Sequence, residues 1–302
     1  MYLDQIQTKK SNTKAYETTC GWLMSSLPVI GFVLFGLIPM ALALYLAFCQ
    51  MNYYDLTTIE WVDFQNFEEV LADVDFWKAG VNTIIYAVSL PICLVISLCV
   101  SFLLTKKIKG KKIFRTIYFI PYVCSVVAVA VMWKWIFNPH YGLINGAFGL
   151  DKEIYNWFDK PELFRVIVIV MSIWGGCGYS IILYSAALTN INPTLYEAAK
   201  MDGANAFQCF RHVTLPGVSP TTFYLFITGL IGALQSFASL HVLNSGGGPD
   251  NAGVTIGFYL YKEAFSYYNV GLASASSLIL SVFIVIITII QFKVSKRWVS
   301  YD

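Results

Sequence analysis

The sequence predicts an all-α polytopic membrane protein with six transmembrane helices and both termini cytoplasmic. Three observations carry that prediction. The 302 residues are 57% hydrophobic and only 13% charged, whereas soluble domains average about 25% charged. Six apolar runs are each long enough to cross roughly 30 Å of hydrocarbon as helix. Basic residues gather in alternate connections, which sets the direction of threading.

A polar tail, residues 1–21, precedes a first span at about 22–48. That run is too long for the core of a signal peptide, and no small-residue cleavage site follows it, so it reads as a retained span. Further spans fall at about 80–104, 114–137, 166–188, 219–243 and 272–292. One transmembrane domain therefore covers 22–292, and a short tail, 293–302, follows it. All the spans contain Gly, Pro, Ser or Thr, which neighbouring helices accommodate by re-satisfying the backbone.

The N-terminal tail carries Lys9, Lys10 and Lys14, and the second connection carries Lys106, Lys107, Lys109, Lys111, Lys112 and Arg115. The fourth connection adds Lys200 and Arg211, and the last tail Lys293, Lys296 and Arg297. That side holds 14 of the 20 basic residues, while the opposite connections and their flanks hold 13 of the 18 acids. The run "KKIKGKK" is thus a topology-setting loop, and no nucleic-acid partner is implied. The seven cysteines are scattered without any C-x-x-C pair. They read as small apolar residues, not as a disulfide framework or metal site.

Several chemistries lack their residues. His140, His212 and His241 are far apart, and no G-x-S-x-G element occurs. The cores of the six spans carry no Asp or Glu, which speaks against an ion-coupled secondary carrier. The Gly-rich stretch "NSGGGPDNAG" (244–253) has neither the Lys nor the strand-to-helix setting of a phosphate loop. It reads as a sharp turn after the fifth span. No catalytic residue, metal ligand or cofactor site emerges, and any ATP would have to be bound by another chain.

The polar stretch 196–216, "YEAAKMDGANAFQCFRHVTLP", lies between the fourth and fifth spans. Pro193 discourages a continuous helix from the fourth span. Thr194 and Glu197 have the spacing of a capping box, the chain favours helix over 195–202, and Gly203 suits a helix end. Phe207, Phe210 and Val213 then fall on one apolar face, and Pro216 closes the piece. Composition alone makes this a helix lying at the membrane interface.

The order of its residues adds more. E-A-A-x-x-D-G-A followed by L-P, here Glu197, Ala198, Ala199, Asp202, Gly203, Ala204, Leu215 and Pro216, resembles the EAA coupling motif of ABC importer permeases. Val213 stands where that family often has Ile. "FQNFEEVLADVDFWKAGVNTIIYAV", "IPYVCSVVAVAVMWKWIFNPHYGLIN" and "GGGPDNAGVTIGFYLYKEAF" are similar to corresponding stretches of carbohydrate-uptake permeases. The subunit type is that of the large membrane subunit of the maltose transporter, reduced to a six-span core.

The resemblance implies the type I ABC importer permease fold in a prokaryotic plasma (inner) membrane. It implies a homologous second permease, two cytoplasmic ATPase subunits that bind ATP and Mg, and an extracellular or periplasmic solute-binding protein. The EAA segment would insert into a cleft on an ATPase. The expected function is ATP-driven uptake of a sugar or oligosaccharide by alternating access, the chain itself being no enzyme. The alternatives are import of another small polar solute such as glycerol phosphate, or a secondary carrier.

A sugar path needs polar side chains and aromatic faces, because each unpaired hydroxyl in hydrocarbon costs free energy. The fourth span offers Ser172, Trp174, Gly176 and Tyr179, and the fifth offers Gln235 and Ser236. Small residues there would equally serve close helix packing. The family resemblance places a binding site on these two spans. Between the first two spans the chain has seven acids before its first base, Lys78, which suits either plain solvation or docking of a solute-binding protein.

Overall fold

The computed structural model describes residues 2–52, 55–105 and 110–300. Lys106, Lys107 and Lys109 lie outside these, as do the side chains of Lys9, Lys10, Lys14, Lys111 and Lys112. The described residues are mostly helical, and the helices bend where proline removes a backbone donor.

Helix α1 (Tyr2–Phe32) passes through a π-turn, Val33–Leu37, into α2 (Ile38–Leu46). At that turn the Ile38 N–H reaches back to Val33 O. Pro39 cannot donate and its ring crowds the preceding turn, so a wider turn relieves the clash. The apolar part, Tyr16–Leu46, is 31 residues long. Strands β1 (Cys49–Asn52) and β2 (Asp55–Trp61) then pair as an antiparallel hairpin with Cys49 opposite Trp61. This hairpin departs from the all-α expectation. Asn66 buttresses it, donating Nδ2 to Ala47 O at 2.9 Å and Cys49 O at 3.0 Å.

Helix α3 (Gln65–Ala72) leads to α4 (Val74–Ala87) and α5 (Ser89–Thr105). The last two form one span of 32 residues, Val74–Thr105. It starts earlier than residue 80 because Asp73 caps it, accepting the Asp75 N–H at 2.8 Å. Helices α6 (Lys111–Val123) and α7 (Val126–Ile136) replace a straight third span and meet at a bend of 101°. Pro121 weakens the helix there, and Cys124 and Ser125 take extended backbone. After α8 (Leu143–Phe148), α9 (Pro161–Asn190) crosses unbroken for 30 residues. Helix α6 lies so close to α9 that a Cβ on Gly178 would collide with the Tyr118 carbonyl. Only glycine fits that crossing.

Helix α10 (Pro193–Met201) and α11 (Ala206–Cys209) are followed by a second π-turn, Phe210–Thr214, then α12 (Leu215–Gly217) and α13 (Ser219–Leu234). Pro216 does not close this segment: helix runs through it, and a 60° bend follows between Gly217 and Ser219. Ser219 Oγ occupies the Pro216 carbonyl at 2.6 Å, which Pro220 cannot serve because it has no N–H. Helix α13 ends at Leu234 rather than continuing to 243. A break at Gln235–Phe237 turns the chain into α14 (Ala238–Leu243), which packs on α7.

The Gly-rich stretch is a stapled turn. Asn82 Nδ2 donates to Asn251 O and Val254 O at 2.9 and 3.0 Å, and Tyr86 Oη donates to Ala252 O at 2.5 Å. Helix α15 (Ile256–Tyr261), a third π-turn over Lys262–Ser266 and α16 (Val270–Ser295) complete the fold. The main core gathers Val70, Phe76, Phe164, Leu240 and Phe258 near the stapled turn. A smaller core, including Leu94, Tyr184, Val218 and Leu225, lies nearer α10. Among the described residues four helices are long and apolar enough to cross a membrane, or six segments if each bent pair is one span.

Candidate translocation path and coupling segment

Helices α9 and α13 cross with a stripe of small and hydroxyl-bearing residues between them. Ser172, Gly176 and Tyr179 recur at helical spacing on α9, as do Tyr224, Thr228 and Gly232 on α13. A cavity of about 420 Å³ opens there, lined by Ser172, Gly176, Tyr179 and Ser236 among the predicted residues. That size is within the roughly 300–1,000 Å³ range of small-molecule sites. Tyr86, Ser89, Tyr122, Ser180, Thr228 and Thr255 add hydroxyls, and none of the lining residues carries a formal charge.

The aromatic wall is preorganised. Tyr122 and Tyr179 stack with ring centroids 5.0 Å apart and planes 19° from parallel. The Tyr179 and Tyr224 hydroxyls lie 3.2 Å apart. Below that pair a second cavity of about 440 Å³ continues between α9 and α13 past Leu183, Asn190 and Thr221. Tyr179 lines both, so the two cavities meet at this residue.

Two predicted path residues fall elsewhere. Trp174 is half a helical turn from both Ser172 and Gly176, so it faces away. It lines a separate apolar cavity of about 620 Å³ and meets Trp133 edge-on at 5.7 Å. Gln235 is the first residue beyond α13 and is exposed beside the cavity without lining it. Tyr86, Ser89, Tyr122, Ser180, Thr228 and Thr255 are lining residues that sequence reasoning missed. Thr228 sits one turn from Gly232 and two turns from Ser236, a spacing that could have revealed it.

The 193–217 segment is locally self-sufficient. Asn192, not Thr194, caps α10, its Oδ1 accepting the Thr194 N–H at 3.0 Å. Pro193 then occupies the first turn, where a missing donor costs nothing. At the other end Gly203 has φ +80°. The Ala204 N–H reaches Ala199 O at 2.9 Å and the Gly203 N–H reaches Lys200 O at 3.0 Å, a Schellman ending. Asn205 and Gln208 then exchange bonds of 2.8 and 2.9 Å as a capping box opening α11. The Tyr196 and Thr214 hydroxyls, 3.0 Å apart, tie the two helical pieces together.

The side chains of this strut face outward. Glu197, Ala198, Asp202, Gly203 and Leu215 are exposed, and Ala199, Ala204 and Pro216 are partly so. Phe207 does not share a buried face with Phe210 and Val213: it is 68% exposed, while Phe210 packs edge-on against Phe102 at 5.4 Å. The π-turn rotates the later residues relative to the earlier ones. With Leu195 at 52% and Met201 at 89% exposure, the strut presents an apolar surface flanked by two carboxylates.

Burial pushes the Glu263 carboxyl above the ordinary carboxylate range, Asp73 and Glu69 push the same way, and a bond from Asn269 Nδ2 at 3.0 Å opposes them. Among the described residues no group of three or more His, Cys, Asp or Glu could hold a metal ion.

The family described as "Binding-protein-dependent transport system inner membrane component" matches residues 96–300. A probable ABC transporter permease protein, YesP of Bacillus subtilis (strain 168), is 34% identical, covering 97% of this chain and 96% of its own. The lactose transport system permease protein LacF of Rhizobium radiobacter is 30% identical, covering 96% and 98%. A chain in the crystal structure of a bacterial alginate ABC transporter, bound to an alginate pentasaccharide-loaded periplasmic protein, superposes with TM-score 0.76 at 27% identity, covering 93% and 96%. With this fold and this likeness along almost its whole length, the chain belongs to the inner-membrane permease components of binding-protein-dependent ABC transporters.

Proposed function

We propose that this permease carries a saccharide through a path of which the α9–α13 groove is one half. The observation that carries the proposal is the cavity lining: hydroxyls and stacked tyrosine faces, with no charged side chain among them. Hydroxyls exchange hydrogen bonds with sugar hydroxyls, and flat rings cover the apolar faces of pyranoses. A phosphate or other anion would enter this half without a counter-charge, at a large desolvation cost. Glycerol phosphate import is thereby disfavoured, although a permease for that solute is among the relatives. LacF and the alginate importer support the saccharide reading by kinship.

The chain threads the membrane six times with both termini cytoplasmic, each bent helix pair counting as one span. Ser172, Gly176, Tyr179 and Ser236, joined by Tyr122 and Thr228, touch the solute. Gln235 lies on the exposed flank that a homologous second permease covers. Glu197, Ala198, Ala199, Asp202, Gly203, Ala204, Leu215 and Pro216 form the handle held by one of two cytoplasmic ATPase subunits. ATP and Mg are bound there and not on this chain. A solute-binding protein delivers the sugar. Closure of the ATPases pulls the capped strut as a rigid body, opening the groove to the delivery side, and hydrolysis and release return it.

The test is uptake into proteoliposomes holding the complete transporter with its solute-binding protein and internal ATP. Tyr179→Ala and Tyr122→Ala should lower saccharide uptake while leaving stimulation of the ATPase by the loaded binding protein in place. Normal uptake in both variants, or efficient ATP-driven uptake of glycerol phosphate and no saccharide, would overturn the assignment.

A further inference from the structure

A small cavity of about 310 Å³ lies between α6 and α9, at the end of the bundle that bears α10. It is lined by Arg115, Ile182, Ser185, Ala186 and Thr189. Two polar atoms of its wall are buried without a hydrogen-bond partner, Arg115 Nε and Ser185 Oγ. Ser185 is only 3% exposed. A buried serine on a helix ordinarily bonds a carbonyl one turn back, as Ser180 does to Gly176 O at 3.3 Å. Ser185 does not. Thr189 shows the ordinary behaviour beside it, donating to Ala186 O at 2.7 Å.

The charge is equally unbalanced. The described ion pairs all involve Lys78, and neither α6 nor α9 has an acid except Glu162, at the far end of α9. A guanidinium Nε and a serine hydroxyl buried without partners in one cavity are costly. An anion that accepts from both would satisfy them, and a planar guanidinium suits phosphate oxygens.

A second cavity on the same two helices points to the source of that phosphate. One turn beyond Arg115 on α6, and one turn before Ser185 on α9, stand Tyr118 and Ile181. Both line the apolar cavity of about 620 Å³, with Ile96, Val100 and Ile117. Its lining runs on through Pro121, at the bend between α6 and α7, to Trp133. A basic niche one helical turn from an apolar trough on the same two helices suits a lipid, head and tail. We propose that Arg115 and Ser185 bind the phosphate of an anionic phospholipid whose acyl chain lies in the α6–α9 trough. Such basic niches between helices are a recurrent mode of lipid headgroup recognition.

The experiment uses the complete transporter, delipidated in mild detergent and titrated with phosphatidylglycerol, phosphatidylcholine or inorganic phosphate. Native mass spectrometry and thermal unfolding supply the readouts. The wild type should retain one phosphatidylglycerol and gain thermal stability from it. Arg115→Gln should weaken that binding about tenfold, Ser185→Val less, and Arg115→Lys should keep most of it. Phosphatidylcholine should bind weakly and phosphate should not substitute. Equal phosphatidylglycerol affinity in wild type and Arg115→Gln overturns the proposal. So does protection by inorganic phosphate alone, which would mark a free-anion site. If Arg115→Gln does not assemble, the Ser185→Val titration decides: unchanged affinity there overturns the assignment.

Discussion

Gly203 offers a way to separate the folding of the strut from its docking. Its φ of +80° ends α10, and a Cβ added there would meet nothing within 4 Å. Any substitution therefore carries a backbone cost without a steric one inside this chain. Alanine in the left-handed region costs about 1–2 kcal/mol, while asparagine tolerates that region better. Gly203→Ala should then fray the Schellman ending and shift the strut population by roughly 5- to 30-fold at that residue. Gly203→Asn should shift it less. Gly203→Trp has the same backbone cost as alanine and adds a large ring on the exposed face. The assay is coupled: uptake per ATP hydrolysed in proteoliposomes, beside pull-down of the ATPase subunits. Alanine should reduce coupling partially with association retained, asparagine should stay near wild type, and tryptophan should abolish association. If alanine and tryptophan behave alike, the effect is one of helix ending alone, and direct contact with an ATPase at Gly203 is refuted.

Other expectations follow from the same geometry. Met201→Asp, at the most exposed apolar side chain of the strut, should weaken ATPase association by tenfold or more, since burying a Met contributes about 1.5–3 kcal/mol. Binding titration of purified subunits checks it. Glu197→Lys should leave membrane insertion intact but uncouple hydrolysis from uptake, read as ATPase turnover without transport. Tyr179→Phe removes the hydroxyl contact with Tyr224 while keeping the ring stacked on Tyr122, so it should change uptake less than Tyr179→Ala; equal loss in both would show that the stack contributes nothing. Glu263 has its folded pKa raised above 4.5, by burial first. Its deprotonation is therefore harder in the folded state, and the resulting penalty is absent below pH 4.5, grows as pH rises through the folded value and is constant above it. Glu263→Gln should raise Tm at neutral pH, with the gain vanishing below pH 4.5 in thermal unfolding across a pH series.

What could be read from the sequence, and what could not, follows the range of the forces involved. Span lengths and charge asymmetry are local, and the apolar stretches found that way reappear as helices. The bends are not local. Pro121 and Pro216 each stand within two residues of a helix end, yet the bend that follows is 101° at one and 60° at the other. At the smaller bend Ser219 Oγ takes the Pro216 carbonyl that Pro220 cannot serve, a contact that no local pattern announces. Asn192 caps α10 two residues ahead of the expected Thr194, both being residue types competent to cap. Pro193 was the deciding signal, since proline belongs in a first turn and not before a cap. The path residues follow the same logic. Ser172, Gly176 and Tyr179 share a helical face, whereas Trp174 breaks the spacing and turns to another cavity. The hydroxyls of Tyr224 and Thr228 remain exposed on the flank of an otherwise apolar bundle. Within this chain the Tyr224 hydroxyl meets only that of Tyr179, at 3.2 Å, and Thr228 Oγ1 donates to Tyr224 O at 2.8 Å; each hydroxyl keeps further hydrogen-bonding capacity that lipid cannot serve. They make sense as one wall of a groove whose other wall is a second permease, with the solute between.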